Sequence, residues 1–134
     1  MRDEDWLREQ LKTAFKGFGA HVSWIESHET SAGFPDLDFM CKGQGTQIEL
    51  KVTKKDGSIK IRAGQYAWFR DRARAGGSPY MWVFDNETHL HYAIRASEVA
   101  TVERIEDVRD AVFVMSSHEP QLIIHQILQD LRHV

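Results

Sequence analysis

The stretch Gly33 to Lys51, GFPDLDFMCKGQGTQIELK, leaves the chain little choice of local structure. Polar and apolar residues alternate on both sides of Gly43-Gln44-Gly45, the pattern of two short strands joined by a tight turn. Side chains of a strand point alternately to opposite faces, so Asp36, Asp38 and Met40 share one face and Leu37, Phe39 and Cys41 the other. The second strand divides in the same way, with Gln47, Glu49, Lys51 and Thr53 against Ile48, Leu50 and Val52. If the apolar set is buried, the opposite face gathers carboxylates and one ammonium at adjacent strand ends.

That grouping suits a hard divalent cation. Mg²⁺, or Mn²⁺ in its place, takes oxygen ligands in near-octahedral geometry and keeps several waters, so one or two carboxylates and a substrate phosphate complete a site. Asp36 and Glu49 are the candidate ligands. The backbone carbonyl of Leu50, on a strand running past the ion, is a further one. Lys51 lies on the face of Glu49, where it can polarise an attacking water and offset charge in the transition state. It separates a hydrolytic site from one that only binds metal.

Pro35-Asp36 followed by Glu49-x-Lys51 resembles the PD-(D/E)XK nuclease superfamily. The fuller string of GFPDL, then IELKV, then Gln65 in RAGQYAWFR, resembles the small virus-type replication-repair nucleases (VRR-NUC) and the archaeal-type Holliday junction resolvases. The match spans roughly the first two-thirds of the chain. It implies an α/β fold with a restriction-endonuclease-like core, a mixed central sheet flanked by helices in αβββαβ order. It also implies a Mg²⁺- or Mn²⁺-dependent endodeoxyribonuclease that leaves a 5′-phosphate, with branched DNA such as a Holliday junction as substrate. In such families Gln65 orients a water or phosphate beside Lys51, and a carboxylate on the first helix completes the metal site.

At 134 residues the chain is expected to form a single domain, residues 1–134, with a real core. Neither an apolar run approaching ~18 residues nor a signal-like start argues for membrane or export. The single cysteine, Cys41, excludes an internal disulfide. It suits a reducing cytoplasm, as in a phage- or prokaryotic-type intracellular protein.

The net charge of −3 is unusual for a DNA-binding protein until it is divided along the chain. Residues 1–50 carry 5 basic and 9 acidic side chains, residues 51–74 carry 8 and 2, and residues 75–134 carry 4 and 9. A basic middle beside a carboxylate cluster is the distribution expected where a phosphate backbone meets acidic metal ligands. Lys54, Lys55, Lys60 and Arg62 are the candidate DNA contacts. Such contacts fix position and carry no sequence information. The bland alternative is a solvated basic face.

Along the chain, Trp6, Leu7, Leu11, Ala14, Phe15 and Phe18 predict an amphipathic helix over Asp3–Phe18 with Asp3 as its cap. Within it, Glu4 falls closer to the apolar arc than Glu9. Ala20–Ser27 has strand character, with Val22, Trp24 and Glu26 on one face, so Glu26 rivals Glu4 as the additional carboxylate. The loop from His28 to Phe34 reads as a substrate-facing segment. Arg62–Ala75 reads as a helix stopped by Gly76-Gly77 and Pro79, with Tyr66, Phe69 and Ala73 as a core stripe. Gln65 is either a site residue or a surface glutamine. Pro79–Asp85 and Thr88–Ile94 read as strands around Asn86-Glu87, with His89 and His91 on a solvated or edge face, because no third ligand accompanies them. Val108–Met115 is open between strand and helix. Gln121–His133 is a closing helix with Leu122, Ile123, Ile127, Leu128 and Leu131 on one stripe.

These features together point to a metal-dependent endonuclease. Cutting both strands of a branch needs two active sites, hence a homodimer, with the C-terminal segment one candidate interface. Replication or recombination proteins are candidate partners. The alternatives are a nicking or single-strand-directed nuclease and a non-catalytic nucleic-acid-binding module.

Overall fold

A computed structural model describes residues 1–26 and 33–133. The end of the expected strand at Ser27 and the loop expectation over residues 28–32 lie outside the described residues.

The first helix, α1, spans Glu4–Gly17, and the Asp3 side chain accepts the Trp6 N–H at 2.9 Å. Leu7, Leu11, Ala14 and Phe15 recur at helical spacing and are all buried. Six strands follow: β1 (His21–Trp24), β2 (Leu37–Cys41), β3 (Gln44–Val52), β4 (Tyr80–Phe84), β5 (His91–Arg95) and β6 (Val114–Ser117). Helix α2 (Ala63–Arg74) lies between β3 and β4. A 3₁₀ segment (Ala96–Thr101) and α3 (Ile105–Arg109) lie between β5 and β6, and α4 (Pro120–Leu131) closes the chain. No helix among the described residues is long and apolar enough to cross a membrane.

The strands form one mixed sheet in sequence order, antiparallel throughout except for the parallel β3–β4 pair. A parallel pair needs a crossover, and α2 supplies it. The core has two halves. One joins α1 and α4 to Leu37, Phe39, Ile48, Leu50, Tyr80 and Trp82. The other sets Phe69 of α2, the 3₁₀ segment and α3 against Met81, Val83, Tyr92 and Ile94. The sheet is therefore covered on both faces, and the residues of β3 divide between them.

Several sequence expectations shift. The hairpin turns at Lys42-Gly43, one residue earlier than the Gly-x-Gly reading, and Cys41 stands opposite Gln44. Both turn residues have positive φ, 53° and 80°, as a tight two-residue hairpin turn requires. Gly45 is instead a strand residue, where a Cβ would meet the Phe39 carbonyl oxygen at 2.1 Å. The strand expected from Thr88 begins at His91. Asp85 holds the preceding turn by accepting from Glu87 N–H (3.0 Å) and the Thr88 hydroxyl (2.9 Å). His91 is neither solvated nor on an edge: it is 3 % exposed in an interior strand, and its Nδ1 accepts the Trp82 indole N–H at 3.0 Å. Burial pushes its pKa down to about 4, with His118 adding to the effect. On α4, Leu122 is 48 % exposed and Ile124 takes its place in the core. The ambiguous stretch ends in strand β6. Cys41 is buried, with its thiol 3.5 Å from the Phe18 carbonyl oxygen.

Candidate active site

Alternation along β3 sets the site's chemistry. Ile48 and Leu50 enter the α1–α4 half of the core, so Glu49 and Lys51 face the side covered by α2. Both are buried, at 3 % and 6 % exposure. Asp36 comes in just before β2 pairs with β3 at Leu37–Ile48, and its Oδ2 accepts the Leu50 N–H at 2.8 Å. In an extended strand the N–H and C=O of one residue leave on the same side, so the Leu50 carbonyl also projects toward Asp36.

Gln65 ties these parts together. It sits in the first turn of α2, 3 % exposed, and is not a surface glutamine. Its Nε2 donates to Glu49 Oε2 at 2.8 Å, and its Oε1 accepts from Lys51 Nζ at 2.9 Å and from the Arg62 N–H at 3.0 Å. A carboxamide has one donating and one accepting end, so it can bridge an ammonium and a carboxylate in only one orientation. Lys51 Nζ also lies 3.5 Å from Glu49 Oε2.

The segment leading to Asp36 is pinned to the same helix. Gly33 has φ +85°, and a Cβ there would lie 2.1 Å from the Gly64 carbonyl oxygen. The two backbones touch, which only glycine permits. Phe34 then packs edge-on against Trp68 of α2, ring centres 5.3 Å apart.

Glu4, Asp36, Glu49, Lys51, Lys60, Arg62 and Gln65 line one cavity of about 320 Å³. It holds three acids and three bases. Lys60 and Arg62 make no ion pair among the described residues. Lys54 and Lys55 belong to a neighbouring cavity with Thr53, Asp85, Asn86 and Glu87. Glu26 lies elsewhere, 3.6 Å from Arg8 Nη1. Val22 and Trp24 pack on the α1 side, and Glu26, two residues past the end of β1, is exposed and paired with Arg8 of α1. Of the two rival carboxylates, only Glu4 lines the cavity.

Electrostatics marks Glu49 as the strained member. Burial, and then the Asp36 carboxyl beside it, push its pKa up to about 8 against the pull of Lys51. Its Oε1 is buried with no hydrogen-bond donor among the described residues. Glu4 is also raised, first by burial of its carboxyl; Lys51 opposes the shift and Asp36 adds to it. Two adjacent ionised carboxylates need a proton or a cation between them. The oxygen donors Asp36, Glu49 and the Leu50 carbonyl fit a divalent cation of the magnesium type, with waters completing its shell. No three acidic, histidine or cysteine side chains among the described residues close into a metal cage by themselves. Glu4 lines the cavity from its exposed rim.

Sequence reasoning passed over Gly33 and Asn86. A glycine preceding Phe-Pro-Asp is the one local signal for the first, and the second has none, since its partners are distant in sequence.

No protein-family model matches the chain, and no curated protein matches it in sequence. Among solved structures, the bacterial homing endonuclease I-Ssp6803I aligns over 98 % of this chain and 92 % of its own, at a TM-score of 0.50 and 15 % identity. Hjc, a Holliday junction resolvase from the archaeal hyperthermophile Archaeoglobus fulgidus, aligns over 72 % of this chain and 82 % of its own, at a TM-score of 0.53 and 13 % identity. At these identities the likeness establishes the fold. It is the restriction-endonuclease-like fold implied by the resemblance to PD-(D/E)XK nucleases.

Proposed function

We propose that this chain is a Mg²⁺- or Mn²⁺-dependent endodeoxyribonuclease that hydrolyses phosphodiester bonds in branched DNA such as a four-way junction. The observation that carries the reading is the convergence of Asp36, Glu49 and Lys51 on one cavity, with Gln65 bridging the last two. Asp36, Glu49 and the Leu50 carbonyl would hold the cation. When bound, it supplies Lewis-acid polarisation of the scissile phosphate and of a water.

The protein's own part follows from its bonds. Gln65 Oε1 and Glu49 Oε2 fix the direction of the Lys51 ammonium. An ammonium has three donors, so a third N–H remains to hold the attacking water or a non-bridging phosphate oxygen. Because Lys51 is buried, its charge acts in a low-dielectric setting where charge developing on the phosphate is stabilised most. Lys60 and Arg62, on the same cavity wall, receive the backbone phosphates next to the cut. Lys54 and Lys55, one cavity away, extend that contact along the duplex. The branched substrate is favoured by the archaeal resolvase among the structural neighbours.

The test is cleavage of a four-way junction, a flap, a plain duplex and a single strand, with Mg²⁺ or Mn²⁺ and with chelator. Junction cleavage that needs the metal is expected. Lys51→Ala should lower it by about 10²–10³ while DNA binding persists. Equal cutting of duplex or single strand removes the junction preference. Cleavage of no substrate with either metal removes the nuclease reading in favour of a binding module.

A further inference from the structure

Asn86 lines a different cavity, yet it joins the segment ahead of Glu4 to the segment that follows Lys51. It follows β4, in the turn toward β5. Its Oδ1 accepts the Arg2 N–H at 2.8 Å, and its Nδ2 donates to the Arg2 carbonyl at 3.1 Å. The same Nδ2 donates to the Thr53 carbonyl at 2.8 Å, and the Asn86 N–H donates to the Thr53 hydroxyl at 2.9 Å. Thr53 is 2 % exposed and stands two residues beyond Lys51. Arg2 stands two residues ahead of Glu4. One carboxamide thus gives Arg2 the donor and the acceptor that a neighbouring strand would supply.

The consequence falls on Glu4. It is the first residue of α1, and the first turn of a helix has N–H groups without intrahelical partners and frays unless held. Among the described residues, the first turn is held by the Asp3 cap, by Trp6 packed on Phe84 and His91 with Leu7 buried in the core, and by Asn86 on the residues ahead of it. The Asp3 cap satisfies a helix N–H from within the segment. Only Asn86 ties the segment's backbone to the sheet; the Arg2 guanidinium, 4.9 Å from the centre of the Trp6 ring, is a contact within the segment itself. The body of α1 packs on β3, and Asn86 adds the anchor for the backbone ahead of Glu4.

We propose that Asn86 is a positioning residue that holds Glu4 at the rim of the cation site by clamping Arg2 to Thr53. This rests on the metal-dependent reading above. It separates a stabilising turn from a device that sets cation affinity.

The experiment measures Mn²⁺ affinity by electron paramagnetic resonance in DNA-free protein, together with amide hydrogen exchange over residues 3–8. The proteins compared are the wild type, Asn86→Ala, Glu4→Gln and the double variant. Glu4→Gln should weaken Mn²⁺ about tenfold, the effect expected of a group acting on the metal through its outer shell. Asn86→Ala should produce most of that loss, faster exchange in the first turn of α1, and no further loss in the Glu4→Gln background. A second pair guards against misfolding. Arg2→Pro removes the N–H that Asn86 accepts and should weaken Mn²⁺, whereas Arg2→Ala keeps it and should not. Wild-type Mn²⁺ affinity in Asn86→Ala, or losses that simply add in the double variant, would overturn the positioning role and leave the nuclease reading standing. A wild type that binds no Mn²⁺ removes both.

Discussion

Glu49 should make the metal-free protein lose stability as the pH rises, which is the reverse of what a salt-bridged carboxylate does. In the unfolded chain Glu49 titrates near its reference value of 4.5, and in the folded cavity its pKa is about 8. Between those two values the folded state holds a proton that the unfolded state does not, so unfolding becomes easier with each unit of pH. The slope is about 1.4 kcal/mol per unit, and the full span amounts to about 5 kcal/mol. That is a large share of the roughly 5–15 kcal/mol by which domains are stable. The contribution is fully present below 4.5 and gone above 8. Glu49→Gln keeps the shape and the bond from Gln65 but cannot ionise. Urea unfolding of both proteins in chelator from pH 5 to 9 should show near-equal stability at pH 5 and a variant ahead by several kcal/mol at pH 9. Saturating Mn²⁺ at pH 8 should restore the wild type and not the variant, because the cation takes the place of the proton. A gap between the two proteins that stays constant from pH 5 to 9 would refute the reasoning.

Two other substitutions test the frame around the site. His91 is held neutral with a pKa of about 4, below its usual 6.5, so its contribution is present above 6.5 and is lost as the pH falls toward 4. The difference is about 3 kcal/mol. In His91→Gln, unfolding midpoints should show that loss disappear, isolating it from the opposite trend of Glu49 in the same window. Gly33→Ala places a methyl against the Gly64 carbonyl at a φ of +85°. It should lower stability by about 1–3 kcal/mol and reduce junction cleavage disproportionately, because it parts the Asp36 segment from the helix bearing Gln65.

Strand alternation made the central grouping legible. It separated Glu49 and Lys51 from Ile48 and Leu50, and β3 has that same division. The arc Leu7, Leu11, Ala14, Phe15 fixed the buried face of α1 in the same way. Alternation does not say which side of the sheet a given strand's polar face will meet. Glu26 therefore reads as a rival to Glu4, although it is exposed and paired with Arg8 of α1. Gln65 reads as either a surface or a site residue, because only the return of α2 over β3 buries it. His91 reads as solvated or on an edge because no third ligand accompanies it, and that argument is blind to β6, which pairs with β5 and makes it an interior strand. The clamp from Asn86 to Arg2 joins residues 84 positions apart, a separation at which local pattern carries no signal.

The lone thiol has a practical corollary. Cys41 is sealed inside the sheet and leaves the native exterior chemically blank toward maleimides and nitroxide reagents. A cysteine placed at Ser116 or Gln44 would therefore take a single probe without any background substitution. Paramagnetic relaxation between that probe and Mn²⁺ would then give the ion's coordinates by triangulation, with no crystal required.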